Sequence, residues 1–176
     1  MLIREGEIKN MRIRLLALAL ALITAPSAAM AADRVVDVSN AKNVAALLQE
    51  AGYKAEIKKA PDGSSYIESG ANGGGFMVIF YGCKNDAGCD SFDLYGYYDK
   101  EPFFSTAMAN EWNAKSRFLK VAVDEDGNLA ESVYVSALGN MTFDNFKDYI
   151  DWYASMDGQL GAFIKDKREA AGSGKP

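Results

Sequence analysis

The sequence predicts an α+β domain in which an antiparallel sheet is flanked by three helices, in the order α-β-β-β-β-α-β-β-α. Apolar residues recur at helical spacing in three separate segments, and strand-like runs lie between them. Short turns join successive strands, which implies antiparallel pairing. The chain is organised around residues 109–135, which read as a helix end, a strand, a tight turn and a returning strand.

Residues 35–39 are an extended lead-in, and Ser39 or Asn40 can cap the first helix. Val44, Leu47, Leu48 and Ala51 give that helix one apolar face, and Gly52 ends it. Tyr53, Ala55 and Ile57 alternate with charged residues as in a half-buried strand, and Pro61-Asp62-Gly63-Ser64 turns the chain into the return strand at 65–68. Residues 70–75 are glycine-rich but lack the Lys-Ser/Thr of a phosphate loop, so they read as a flexible hairpin connection. Residues 76–81 are the most apolar run and predict a central strand, followed by an aromatic strand at 91–97.

Glu101-Pro102-Phe103 predicts the start of the second helix, with Phe104, Met108 and Trp112, and Ala107 beside them, as its buried stripe. Asp124-Glu125-Asp126-Gly127-Asn128 then turns one strand into the next. Thr142 caps the last helix, whose stripe is Phe143, Phe146, Ile150, Tyr153, Leu160 and Ile164. Gly158 and Gly161 predict a kink or an early end there, and residues 165–176 read as a disordered tail.

The first residues predict export. Met11-Arg12-Ile13-Arg14, the apolar run 15–23 and the Ala29-Met30-Ala31 site form a signal peptide over residues 1–31, cleaved between Ala31 and Ala32. Residues 1–10 precede a normal leader, as expected of a start assigned too far upstream of Met11. The apolar run is too short to span about 30 Å of hydrocarbon, so no stable membrane span is expected after cleavage. The remaining 145 residues hold 15 basic and 22 acidic groups, a net charge of −7. Such a chain repels phosphate backbones, which argues against nucleic acid as a partner. A single domain over 32–164, in the periplasm or secreted, is the expectation.

The chain has no histidine, which excludes Ser-His-Asp triads, Cys-His pairs and histidine metal sites. Cys83 and Cys89 close a hairpin loop, and in an exported chain they predict a disulfide; a redox pair or metal site fits less well, because the spacing is not C-x-x-C and no further ligand is available. No metal and no cofactor is expected. Asp124-x-Asp126-Gly127 lacks the later ligands of a calcium loop and reads as a β-turn. Trp112, between Asn110 and Asn113, is either a recognition site or a core residue with its indole N–H bonded locally; the stripe with Met108 favours the core. Alternating aromatics at 92–98 either line a groove for an extended peptide that joins by edge pairing or give one core face and one tyrosine-covered outer face. Tyr97, Tyr98 and Trp152 are the candidate partner surface. No carboxylate pair has a spacing that specifies acid–base catalysis.

Asn110-Glu111-Trp112-Asn113, Arg117-Phe118 and Asp124-Glu125-Asp126-Gly127, in this order and spacing, resemble the YbjN family, described as bacterial sensory-transduction regulators. The resemblance covers about residues 38–164. It implies a fold similar to type III secretion chaperones, a twisted antiparallel sheet with helices that is often a homodimer and binds extended polypeptide segments, with no catalytic residues to carry over. The leader and the cysteine pair depart from a cytoplasmic role. The expected function is a non-enzymatic, exported module that holds a protein or peptide partner. The alternatives are a small-ligand binder or envelope enzyme with its site near residues 70–75, or a purely structural envelope protein.

Overall fold

Local capping signals set several element boundaries in the computed structural model, which describes residues 34–173. A short strand β1 (Val35–Val36) leads to helix α1 (Ala41–Glu50), whose N-cap Asn40 accepts the Asn43 N–H at 2.9 Å. Val44, Leu47 and Leu48 are its buried face, and Gly52 follows at φ 92°, where a Cβ would be strained. Strands β2 (Glu56–Lys59), β3 (Ser65–Ala71), β4 (Gly74–Tyr81) and β5 (Ser91–Tyr98) come next. Helix α2 (Thr106–Lys115), strands β6 (Lys120–Val123), β7 (Leu129–Ser136) and β8 (Met141–Thr142), and helix α3 (Phe143–Ser173) complete the chain. Thr142 caps α3 by accepting the Asn145 N–H at 3.2 Å.

The class is α+β, with the predicted order of elements framed by the small β1–β8 pair. The main sheet is antiparallel and runs β2-β3-β4-β5-β7-β6. The apolar run 76–81 lies in β4, inside the sheet as expected. Strand alternation divides the sheet into two unlike faces. Ile67, Phe76, Val78, Phe92, Leu94, Val121, Leu129, Val133 and Val135 join one core with all three helices. Tyr66, Met77, Ile79, Tyr95, Tyr97 and Tyr134 point to the other side and are not part of that core. The helices therefore cover one face only. Fully buried side chains such as Phe92, Leu94 and Phe146 each stabilise the fold by about 1.5–3 kcal/mol.

The second helix begins later than residues 101–103. Phe104 closes a separate turn onto the Glu101 carbonyl at 3.0 Å, and Ser105 is extended at φ −153°. The Ser105 hydroxyl then accepts the Met108 N–H at 3.2 Å, a stronger start signal than Pro102. The buried stripe is Met108, Ala109 and Trp112; Ala107 is exposed and Phe104 lies outside the helix.

The third helix neither ends at Gly158 and Gly161 nor gives way to a disordered tail at Lys165. It runs unbroken to Ser173. Two glycines cost it about 1 kcal/mol each in helix propensity. Leu160 and Ile164 keep the stripe buried across them, and Trp112 packs on Phe163 with ring centroids 5.6 Å apart. Farther on, Lys167 binds Glu111 and Arg168 binds Glu101, which ties residues 165–168 to α2 and its lead-in. The signal peptide, its Ala31/Ala32 cleavage site, the alternative start and residues 174–176 lie outside the described residues.

Candidate functional site

The residues singled out at the α2–β6 junction build structure. The indole Nε1 of Trp112 donates to the Leu119 carbonyl at 3.1 Å while its ring is buried. Asn113 donates to the Val121 carbonyl at 2.9 Å and accepts the Val121 N–H at 3.0 Å. Asn110 is exposed, and Arg117 lies over the Phe118 ring at 6.0 Å. Asp124 accepts the N–H groups of Asp126 and Asn128, and Gly127 takes φ 89° in the turn to β7. The Asn128 amide holds the Asp124 carboxyl below its usual range, with those backbone groups acting in the same direction. The contacts of Trp112, Asn113 and Asp124 close a helix end, a strand edge and a turn.

Cys83 and Cys89 lie at disulfide distance, with sulfurs 2.13 Å apart. Their loop carries Asp86, which accepts from the backbone and hydroxyl of Ser65 and pairs with Lys59 at 2.6 Å. Lys59 first, then Ser65, pulls the Asp86 carboxyl down to about 2. The loop is thus fastened to the β2–β3 hairpin. Residues 70–75 form the β3–β4 hairpin, closed by Asn72 and Gly73 at φ 53° and 81°. Positive φ at both positions is the geometry of a tight two-residue turn.

Tyr97, Tyr98 and Trp152 do not form one surface. Successive strand residues point to opposite faces, so Tyr97 stands 58% exposed on the uncovered face while Tyr98 turns under the helices and donates to Asp157 at 2.9 Å. Trp152 lies on the helix side, stacked on Phe118 at 5.6 Å beside a small apolar notch with Val133 and Tyr149. The strand at 92–98 also cannot accept an added peptide strand, because β5 is hydrogen-bonded to β4 and β7 on its two sides.

The structure instead gathers an aromatic face on the uncovered side. Tyr66, Ile79, Asp93 and Tyr134 make one row across four strands, and Glu68, Met77, Tyr95 and Ser132 make the next. Tyr97 and the 65% exposed Tyr134 stand highest, with Tyr81 beside Asp93 at 3.5 Å. Burial, only partly opposed by the Tyr81 hydroxyl, raises the Asp93 carboxyl above its usual range. Glu68, Met77, Tyr95 and Tyr97 edge a shallow hollow on this face. Period-two alternation in residues 91–97 and 129–136 is the sequence signal for it, but only the strand order shows that these tyrosines adjoin.

A second cluster sits beneath the helices. Glu131 is 2% exposed on the core side of β7, and Tyr153 donates to its Oε1 at 2.6 Å. Gly96 is its partner across the sheet; a Cβ there would lie 2.6 Å from that oxygen, so glycine makes the room. Asp157 accepts from Tyr98 and, at 2.8 Å, from Asn72 of the β3–β4 turn. Burial pushes the Glu131 carboxyl up to about 7; Tyr153 pulls it down, while repulsion by and hydrogen bonding with Asp157 add to the rise. Burial likewise drives the Tyr153 and Tyr98 hydroxyls upward. Glu131 was detectable in the sequence as a charge at a core-facing position of an otherwise apolar alternation.

Among the described residues no group of three or more Cys, Asp or Glu side chains is placed to hold a metal ion, and no helix is long and apolar enough to cross a membrane. An antiparallel sheet covered by helices on one face, with its other face aromatic, defines an α+β sheet-and-helix architecture. Residues 40–161 match the profile of the YbjN family, described as "Putative bacterial sensory transduction regulator". The chain belongs to the YbjN family. No curated protein and no solved structure matches the chain.

Proposed function

We propose that this chain is a non-enzymatic regulatory module that holds a protein or peptide partner in the bacterial periplasm. The family supports a regulatory role. The leader supports export, and the Cys83/Cys89 pair suits an oxidising compartment. The observation that carries partner binding is the sheet face left outside the core, where Tyr97 and Tyr134 are mostly exposed among Tyr66, Met77, Ile79 and Tyr95. Tyrosine offers a large, stiff apolar area with a hydroxyl at its tip, which suits contact with polypeptide. The partner lies across this face, through side chains.

The test is photocrosslinking from position Tyr97 or Tyr134 in cells carrying the full-length chain, with Trp152 as a comparison position. One polypeptide captured from the sheet positions, and lost in a Tyr66→Ser/Tyr95→Ser background, supports the proposal. Capture from Trp152 alone would move the contact to the helix side. A small ligand near residues 70–75 is the competing reading. It predicts that a metabolite raises the melting temperature while the sheet positions capture nothing.

A further inference from the structure

The Glu131 cluster is built where a proton can act as a ligand. Tyr153 satisfies Oε1, whereas Oε2 is buried and accepts no hydrogen bond. Asp157 is the neighbouring carboxylate: it lies one helical turn beyond Tyr153, and Tyr98, which holds it, stands two residues from Gly96, the strand partner of Glu131. Two carboxyl groups can bond to each other only when one of them carries a proton. The titratable groups facing Glu131 are Tyr153 and Asp157 from α3, with Tyr98 from β5 one step beyond. No cation is among them, so an ionised Glu131 would face an ionised Asp157 without compensation.

We propose that Glu131 and Asp157 share one proton that latches the middle of α3 to the sheet, and that losing it loosens the segment around Gly158. The latch joins several elements. Asn72 donates both to Asp157 and to the Ala154 carbonyl, Tyr98 holds Asp157 from β5, and Glu131 holds Tyr153 from β7. Release of α3 has a natural place to begin, because Gly158 and Gly161 contribute no side chains, so that Leu160 is the buried anchor of that turn. With one proton bound the two carboxyl groups attract; with none they repel, and because Glu131 is buried that repulsion is less screened than between two surface groups. The segment responds to pH in the near-neutral range, independently of whether the aromatic face binds a polypeptide.

Amide hydrogen exchange on the purified protein, corrected for intrinsic rates, tests this at about pH 5.5 and about pH 8. Protection of the amides at 154–161 should fall about tenfold or more at the higher pH while that of the β4 amides changes less. Glu131→Gln keeps an acceptor for Tyr153 and supplies a permanent donor to Asp157, so protection should stay at its low-pH level throughout. Asp157→Asn removes the like charge and should blunt the response as well, which provides a second variant if the first folds poorly. Equal protection at both pH values in the unmodified protein, or an undiminished fall in either folded variant, would overturn the latch.

Discussion

The Asn113 side chain binds both the N–H and the carbonyl of Val121, at 3.0 and 2.9 Å, and so takes the place of a neighbouring strand on the outer edge of β6. β7 occupies the other edge. With Trp112 on the Leu119 carbonyl, α2 and the turn after it seal the edge that would otherwise template pairing with another chain.

Replacing Asn113 with Ala leaves two half-buried backbone groups of Val121 without partners. The expected loss is about 1–3 kcal/mol of unfolding free energy, together with concentration-dependent self-association as the edge opens. Urea denaturation and light scattering measure the two effects. Asn113→Ala with unchanged stability would show that the seal is idle.

Closing the Cys83–Cys89 loop removes freedom from the unfolded chain. For so short a loop the chain-entropy account gives about 2 kcal/mol. Thiol labelling of unreduced, denatured protein, expressed with its own leader, should find almost no free cysteine. Reduction should lower stability by about that amount and free Asp86 from Ser65 and Lys59. Two reactive thiols per chain would contradict this.

Stability should pass through a maximum near about pH 5. The folded-state pKa of Glu131 is raised from 4.5 to about 7, so the native state binds the proton more tightly than the unfolded chain does. Its contribution is complete below about pH 4.5 and is lost as pH rises through about 7, a fall of at most about 3 kcal/mol. Asp86 acts with the opposite sign. Its pKa is depressed, so its contribution exists above the usual Asp range and is lost as pH falls toward about 2. Thermal melts across pH check both limbs. Glu131→Gln should flatten the alkaline limb alone.

Two glycines should answer alanine in opposite ways. Gly161 has nothing near an added Cβ, so Gly161→Ala should stabilise α3 by about 0.5–1 kcal/mol. At Gly96 the Cβ would meet Glu131 and Tyr153 at 2.6 and 3.0 Å, so Gly96→Ala should cost about 1–3 kcal/mol. Paired denaturation curves decide it.

How much of this was legible in the sequence follows from how local each cause is. The Asn40 and Thr142 caps, the Gly52 stop and the Gly127 turn act within a few residues, and all were readable. The length of α3 was not, because it depends on Lys167 and Arg168 reaching Glu111 and Glu101, which lie far away in the chain. Tyr97 and Tyr98 read as one surface because their strand could be assigned only broadly; pleating sends them to opposite faces. The Glu131 cluster needs the register Gly96↔Glu131, which a single sequence does not specify. The strand order β5-β7-β6 is likewise invisible locally, and it turns scattered tyrosines into a face.

That face is the centre of the functional account, and photocrosslinking from Tyr97 and Tyr134 in the full-length protein in cells tests it most directly. The account predicts one polypeptide captured from both positions, absent from the Trp152 position and abolished by a Tyr66→Ser/Tyr95→Ser background that leaves the melting temperature close to that of the unmodified chain. No capture from either sheet position, in a protein shown to be folded and exported, would contradict it.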